Sequence, residues 1–242
     1  MLLMSQNHYL IKKLIYLVTL TAISVVLGLF EIPLAPGVDW LKLDLSEVIV
    51  LITFMILGFK NTFILIILRG IIRQFIQGDL LIPTELWGEV IALIASLTLV
   101  GSYYLLSRLL GRHDKPLFNA AYSSEPFKFW ESIVIIFGVT IILSFVLLLS
   151  NIFVTTPVYL SLLASYSGVI QLNGFHFTVF SLLEDPGMMN VFGLNLSSWE
   201  AYTTFILVNY GLLNVSKGLL TTLITLPLRE RLVYFNLFQN VR

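Results

Sequence analysis

The stretch Glu31–Glu47, EIPLAPGVDWLKLDLSE, stands between two long apolar runs and cannot itself sit in lipid. It carries the carboxylates Glu31, Asp39, Asp44 and Glu47, while Pro33 and Pro36 deny it a continuous helix. Such a segment is a loop at a membrane surface. With four acids against the single Lys42 it belongs on the outer side. Its place and chemistry predict a lid over a small-molecule pocket.

The flanking runs set the class. Of the 242 residues, 57% are hydrophobic and 12% charged, with a mean hydropathy of +0.92. A soluble domain has roughly 45–50% apolar and about 25% charged residues. The chain is therefore expected to be an all-α integral membrane protein, since long apolar runs point to helices and not to a barrel. A net charge of zero gives no sign of nucleic-acid binding. The absence of cysteine excludes disulfides and thiolate chemistry, and His8, His113 and His176 stand too far apart in sequence to suggest a metal site. No cofactor is expected.

Working outward, the sequence predicts one domain of six spans at about 10–30, 46–59, 61–77, 84–110, 129–153 and 199–226. Gly58-Phe59-Lys60-Asn61 is read as the turn between the second and third. Gln77-Gly78-Asp79 ends the third, and Pro83-Thr84-Glu85 opens the fourth. Thr155-Thr156-Pro157 is read as the end of the fifth span, and residues 155–198 as a long external segment with short helices. Ser197-x-x-Glu200 is a capping-box pattern for the sixth, which is expected to stop before Pro227. With both termini cytoplasmic, ten of the fourteen basic residues fall inside and only Lys42 outside. A cleaved leader is the alternative for the first run, which Phe30-Glu31-Ile32-Pro33 follows without a small-x-small site.

Ionisable residues within spans mark function or internal pairing, because each costs about 2.5–3.5 kcal/mol at a helix centre. Asn214 and Lys217 are three apart on one face of the sixth span, with Tyr210 one turn back. An amide, an ammonium and an aromatic ring converge there, which suits a planar heteroaromatic ligand; structural pairing of Lys217 with a carboxylate such as Glu89 is the alternative. Glu89 itself either accepts a ligand hydrogen bond or compensates Arg73 or Lys217. Arg73 is expected to snorkel or to pair with Asp79 or Glu85. Trp40, Trp87, Trp130 and Trp199 sit at expected span ends, as an interfacial belt requires; Trp40 and Trp87 are also placed to face a ligand.

Taken in order, FEIPLAP, LKLDLSE, a short helix pair, Gly88-Glu89 and NxxKG in the last span resemble the substrate-binding (S) components of energy-coupling factor (ECF) vitamin importers, most closely the riboflavin branch. The resemblance implies a six-helix membrane domain in a bacterial plasma membrane, binding one vitamin from outside beneath the helix 1–2 loop. It implies as partners a transmembrane coupling protein and two ABC-type ATPases. Asn214 and Lys217 match the family's ligand contacts, and Leu41, Leu43, Asp44 and Glu47 its lid and the start of its second helix; with Trp40, Glu89 and Tyr210, read from their placement, they are the expected ligand contacts. The family's small-residue coupling face on helix 1 is reduced here to Ala22, Ser24 and Gly28, and Ala92 stands where an asparagine is expected. Pantothenate and folate are the sibling substrates.

Other classes fit less well. The chain lacks a Gly-x-x-x-x-Gly-Lys-Ser/Thr phosphate loop, so any ATP use falls to partners and the chain is not expected to be an enzyme. An intramembrane hydrolase needs a nucleophile and base within reach, whereas Ser216 and its neighbour Lys217 point to different helix faces. An ion-coupled carrier predicts repeated halves with broken helices, and the sequence shows no repeat.

Overall fold

The computed structural model describes residues 2–33, 42–112, 116–117, 126–167, 175–185 and 198–234. Trp40, Leu41, Asp39 and Ser197, singled out above, lie outside the described residues. Helix α1 (Leu2–Gly28) leads into a two-stranded hairpin, β1 (Ile32–Pro33) and β2 (Lys42–Leu43), paired antiparallel with Ile32 opposite Leu43. Then follow α2 (Ser46–Leu57), α3 (Phe59–Gln77), α4 (Pro83–Leu109), α5 (Phe129–Ser150), α6 (Thr156–Ser167), α7 (Val179–Leu183) and α8 (Trp199–Tyr234).

Four stretches are long and apolar enough to cross a membrane: His8–Gly28, Pro83–Leu109, Phe129–Ser165 and Trp199–Val233. This is a membrane protein. Two of the six expected spans are less simple. α2 has 12 residues, which at 1.5 Å each cover about 18 Å of a hydrocarbon core roughly 30 Å thick. α3 has 19 but carries Lys60, Arg69 and Arg73. Gly58 separates the pair at φ 77°, a conformation that disfavours side chains.

The centre of the bundle is α2, which is buried on nearly every side, as an all-round apolar helix should be. Val50 and Leu65 pack it against α3 and α1, and Leu51 with Leu99 and Ile135 against α4 and α5. On α1, Leu17, Thr21, Ser24, Val25 and Gly28 repeat at helical spacing and face inward. Ser24 Oγ donates to the Ser46 carbonyl at 3.4 Å, and Gly28 packs on Arg73 and Ser46. Of the three small residues expected to meet a coupling protein, two are therefore turned into this chain's own core; Ala22 alone lies on the exposed face.

α5 and α8 approach closely at Gly218, where an added Cβ would lie 2.9 Å from Thr140 Cα. Gly218→Ala should lower stability by on the order of 1 kcal/mol, because backbone cannot move aside as a flexible side chain would. Thermal unfolding in detergent reads this. Gly101→Ala, with nothing within 4 Å of its Cβ, serves as the neutral comparison. Equal midpoints for the two variants would show that the close approach carries no energy.

Neither proline that was read as a helix stop is one. The fifth helix continues past Thr155-Thr156-Pro157 because Asn151–Thr155 form a π turn, in which the Thr156 N–H reaches the Asn151 carbonyl five residues back. The wider turn moves aside the carbonyl that a proline ring would strike. α8 likewise runs through Pro227 to Tyr234. A proline costs about 3 kcal/mol in a helix interior. Contacts beyond it offset that cost: Arg229, 2% exposed, stacks 4.0 Å over the Phe127 ring, and Glu230 accepts the Phe127 N–H at 3.1 Å. At the start of α8, Ser198 Oγ accepts the Ala201 N–H at 3.1 Å as a side-chain cap.

Candidate functional site

Beneath the hairpin lies a cavity of about 480 Å³, within the roughly 300–1,000 Å³ usual for small-molecule sites. Glu31, Lys42 and Asp44 at the base of the 31–47 loop form its roof, with Arg73 and Gln74 from the end of α3. Thr84, Glu85, Gly88 and Ala92 line it from α4. Opposite stand Asn151 and Thr155 of the π turn, Tyr159 and Leu163 of α6, and Tyr210, Asn214 and Lys217 of α8.

The polar groups of the cavity divide into those already satisfied and those left open. Lys42 Nζ meets Glu31 at 2.7 Å, and this hydrogen bond raises the lysine pKa above its ordinary value. Arg73 is a hub. Its Nε donates to Glu89 at 2.6 Å, and its Nη1 lies 3.7 Å from Glu31, 3.9 Å from Asp44 and 3.4 Å from the Gly28 carbonyl. Gln74 Nε2 also donates to Glu89, at 3.3 Å. Asp44 accepts the Ser46 N–H at 2.8 Å and the Ser46 hydroxyl. Burial pushes the Asp44 carboxyl up, but the Lys217 charge, the Ser46 hydrogen bonds and Arg69 together hold it below the usual range.

Two cationic or donor groups stay open. Asn214 is 3% exposed, and among the described residues its Nδ2 has no acceptor. Among the described residues no carboxylate lies within 4 Å of Lys217, so the alternative pairing with Glu89 does not form. A buried donor without a partner costs roughly 1–3 kcal/mol, and a ligand acceptor placed here would recover it.

The sequence-derived candidates separate accordingly. Asp44, Tyr210, Asn214 and Lys217 line one cavity. Leu43 is buried in β2 and does not line it. Glu89 is taken by Arg73, which pairs with it and not with Asp79 or Glu85. Glu47 lies outside the cavity, 1% exposed, accepting from Ser96 Oγ at 2.9 Å with Arg69 Nη1 at 3.5 Å. Its position in the first turn of α2 aims it at α3 and α4 and away from the ligand space. Trp87 does not line the cavity either; its Nε1 donates to the Thr155 carbonyl at 3.1 Å. Sequence reasoning did not single out Asn151, inside the expected fifth span, and it missed Thr155 and Tyr159, which a stop at Thr155-Thr156-Pro157 had placed in the external segment. Among the described residues no cluster of three metal-ligating side chains occurs.

The chain is thus a helical membrane protein with a polar, partly unsatisfied cavity under a hairpin, and comparison with solved structures finds the same fold. The fold is similar to that of an S component of a bacterial ECF transporter, with a TM-score of 0.56 and 18% identity over 93% of this chain and 96% of that one. In sequence the chain is similar to the riboflavin transporter RibU of Streptococcus thermophilus, 36% identical over 67 residues. That match spans 28% of this chain and about a third, 32%, of the relative. No protein-family model matches. The likeness to an ECF S component thus holds for the fold over nearly the whole chain, and the likeness to a riboflavin transporter for the sequence over part of it.

Proposed function

We propose that this chain is the substrate-binding subunit of an ECF-type importer and that it takes up riboflavin from outside a bacterial plasma membrane. In this reading α1, α2, α3, α4, α5 with α6, and α8 are the six membrane helices of a single domain. Both termini are cytoplasmic, and the 31–47 loop, with Trp40 and Leu41, is the lid. Asp44, Tyr210, Asn214 and Lys217 contact the vitamin. A coupling protein docks on the outer face of α1 around Ala22, and two ABC-type ATPases supply the energy that this chain has no phosphate loop to extract.

The observation that carries the reading is the open pair in the cavity, the Asn214 amide and the Lys217 ammonium, beside the Tyr210 and Tyr159 rings. An isoalloxazine edge offers carbonyl and ring-nitrogen acceptors to the pair and a flat face to the rings. The similarity to a riboflavin transporter supports the same vitamin. Purified protein should quench riboflavin fluorescence stoichiometrically. A chain that leaves riboflavin fluorescence untouched while its unfolding midpoint rises with pantothenate or folate has a sibling substrate instead.

A further inference from the structure

Five residues of the cavity wall, Leu147, Asn151, Thr155, Tyr159 and Leu163, follow one another at four-residue intervals from α5 through the π turn into α6. An uninterrupted α-helix turns about 100° per residue, so each such step drifts by about 40°. The fifth residue would then stand about 160° from the first, on the far side of the helix. The π turn holds one more residue than an α turn and takes back about 100° of this drift. What remains, about 60°, keeps all five on a single wall.

The wide turn is held from two other helices. Pro157 has no N–H to give the Ile152 carbonyl, five residues before it in the register of the turn. The hydroxyl of Tyr202, a fully buried residue of α8, takes that place: it donates to the Ile152 carbonyl at 2.9 Å and shares with the Asn151 carbonyl at 3.2 Å. From α4, Trp87 Nε1 donates to the Thr155 carbonyl. Neither Tyr202 nor Trp87 lines the cavity.

We infer that the π turn at Asn151–Thr155 sets the register of the ligand-binding wall, and that Tyr202 and Trp87 are positioning residues that hold it open. The turn decides which side chains of α6 meet the ligand, and so decides specificity from residues that never touch it. The inference rests on the proposed function only in its ligand readout.

The chain has no cysteine, so Leu163→Cys gives a single reporter of the wall in the purified full-length protein. The small reagent 2-aminoethyl methanethiosulfonate should modify it in the otherwise unaltered chain. Deleting Ile152 turns the wide turn into an α turn and should slow the reaction severalfold; Tyr202→Phe, which keeps the ring and loses only the donor, should slow it to a lesser degree. The same modification rate in both would overturn the inference. With riboflavin as probe, Tyr202→Phe should weaken binding about tenfold, the equivalent of one lost hydrogen bond. In an Asn151→Ala background the same change should cost about twofold or less, because the group being positioned is gone. An equal loss in both backgrounds would mean general loosening and would also overturn it. Failure of the unaltered chain to bind riboflavin counts against the proposed function, and the thiol rates then still decide this inference.

Discussion

Glu47→Ala should lower stability by about 3–5 kcal/mol, enough to leave little folded protein in detergent. The reason is what the substitution strands. Arg69 is 2% exposed in the middle of the bundle, and among the described residues the only carboxylate within 4 Å of it is Glu47, at 3.5 Å. Ser96 Oγ joins the two, donating to Glu47 at 2.9 Å while accepting from Arg69 Nη2 at 3.0 Å. Ser46 Oγ accepts from Arg69 Nη1 at 2.9 Å. The network ties α2, α3 and α4 together directly under the hairpin. Removing the nearest negative charge leaves a guanidinium in a low dielectric with hydroxyls as its hydrogen-bond partners and Asp44 acting only from farther off. Glu47→Gln keeps an acceptor for Ser96 but not the charge, and should fall between the two. Replacing both partners, Glu47→Leu with Arg69→Leu, should recover most of the loss, since it leaves no charge uncompensated. Unfolding midpoints of the four proteins check the scheme; a Glu47→Ala protein within about 1 kcal/mol of the parent would remove the network from the account of stability.

Which parts of this arrangement were legible in the sequence follows from how local their causes are. Asn214 and Lys217 lie three apart on one helix, so their common face is fixed by helical geometry alone, and they do meet at the cavity. Asp44 and Glu47 are also three apart, but a helix begins between them at Ser46. That boundary sends Asp44 to the cavity roof and Glu47 into the core, and no pattern in LKLDLSE states which acid goes where. The partner that decides it, Arg69, is 22 residues away. The wall at Asn151–Tyr159 was illegible for another reason. Local rules stop a helix near Thr155-Thr156-Pro157, and here the Tyr202 hydroxyl, 50 residues distant, satisfies the Ile152 carbonyl that the proline leaves open, while Trp87, 68 residues distant, donates to the Thr155 carbonyl. Pro227 was misread in the same way, its helix continued by the stack of Arg229 on Phe127. Tertiary contacts decided each case in which propensity failed.

Asn214→Ala should weaken riboflavin binding by about 1–3 kcal/mol, and Lys217→Met by about 1.5–3 kcal/mol because its donor is charged. The two substitutions should differ in what they do to the empty protein. Among the described residues Asn214 Nδ2 has no acceptor, so truncating it breaks no bond of that donor there, and the unliganded unfolding midpoint should hold or rise while affinity falls. Affinity and stability moving in opposite directions is the mark of a group kept unsatisfied for a ligand; a structural amide would lose both together. Lys217 has a further role in the empty site. Burial pushes the Asp44 carboxyl up, and the lysine charge is foremost among the influences that hold it ionised. Lys217→Met should therefore raise the Asp44 pKa and weaken the roof as well as the ligand contact. Adding Asp44→Asn to Lys217→Met removes the carboxyl that would suffer, so the pair should cost the empty protein less than the sum of its parts. Fluorescence-quench titration and thermal unfolding of the same preparations give both quantities, and affinities unchanged in both single variants would take Asn214 and Lys217 out of the site.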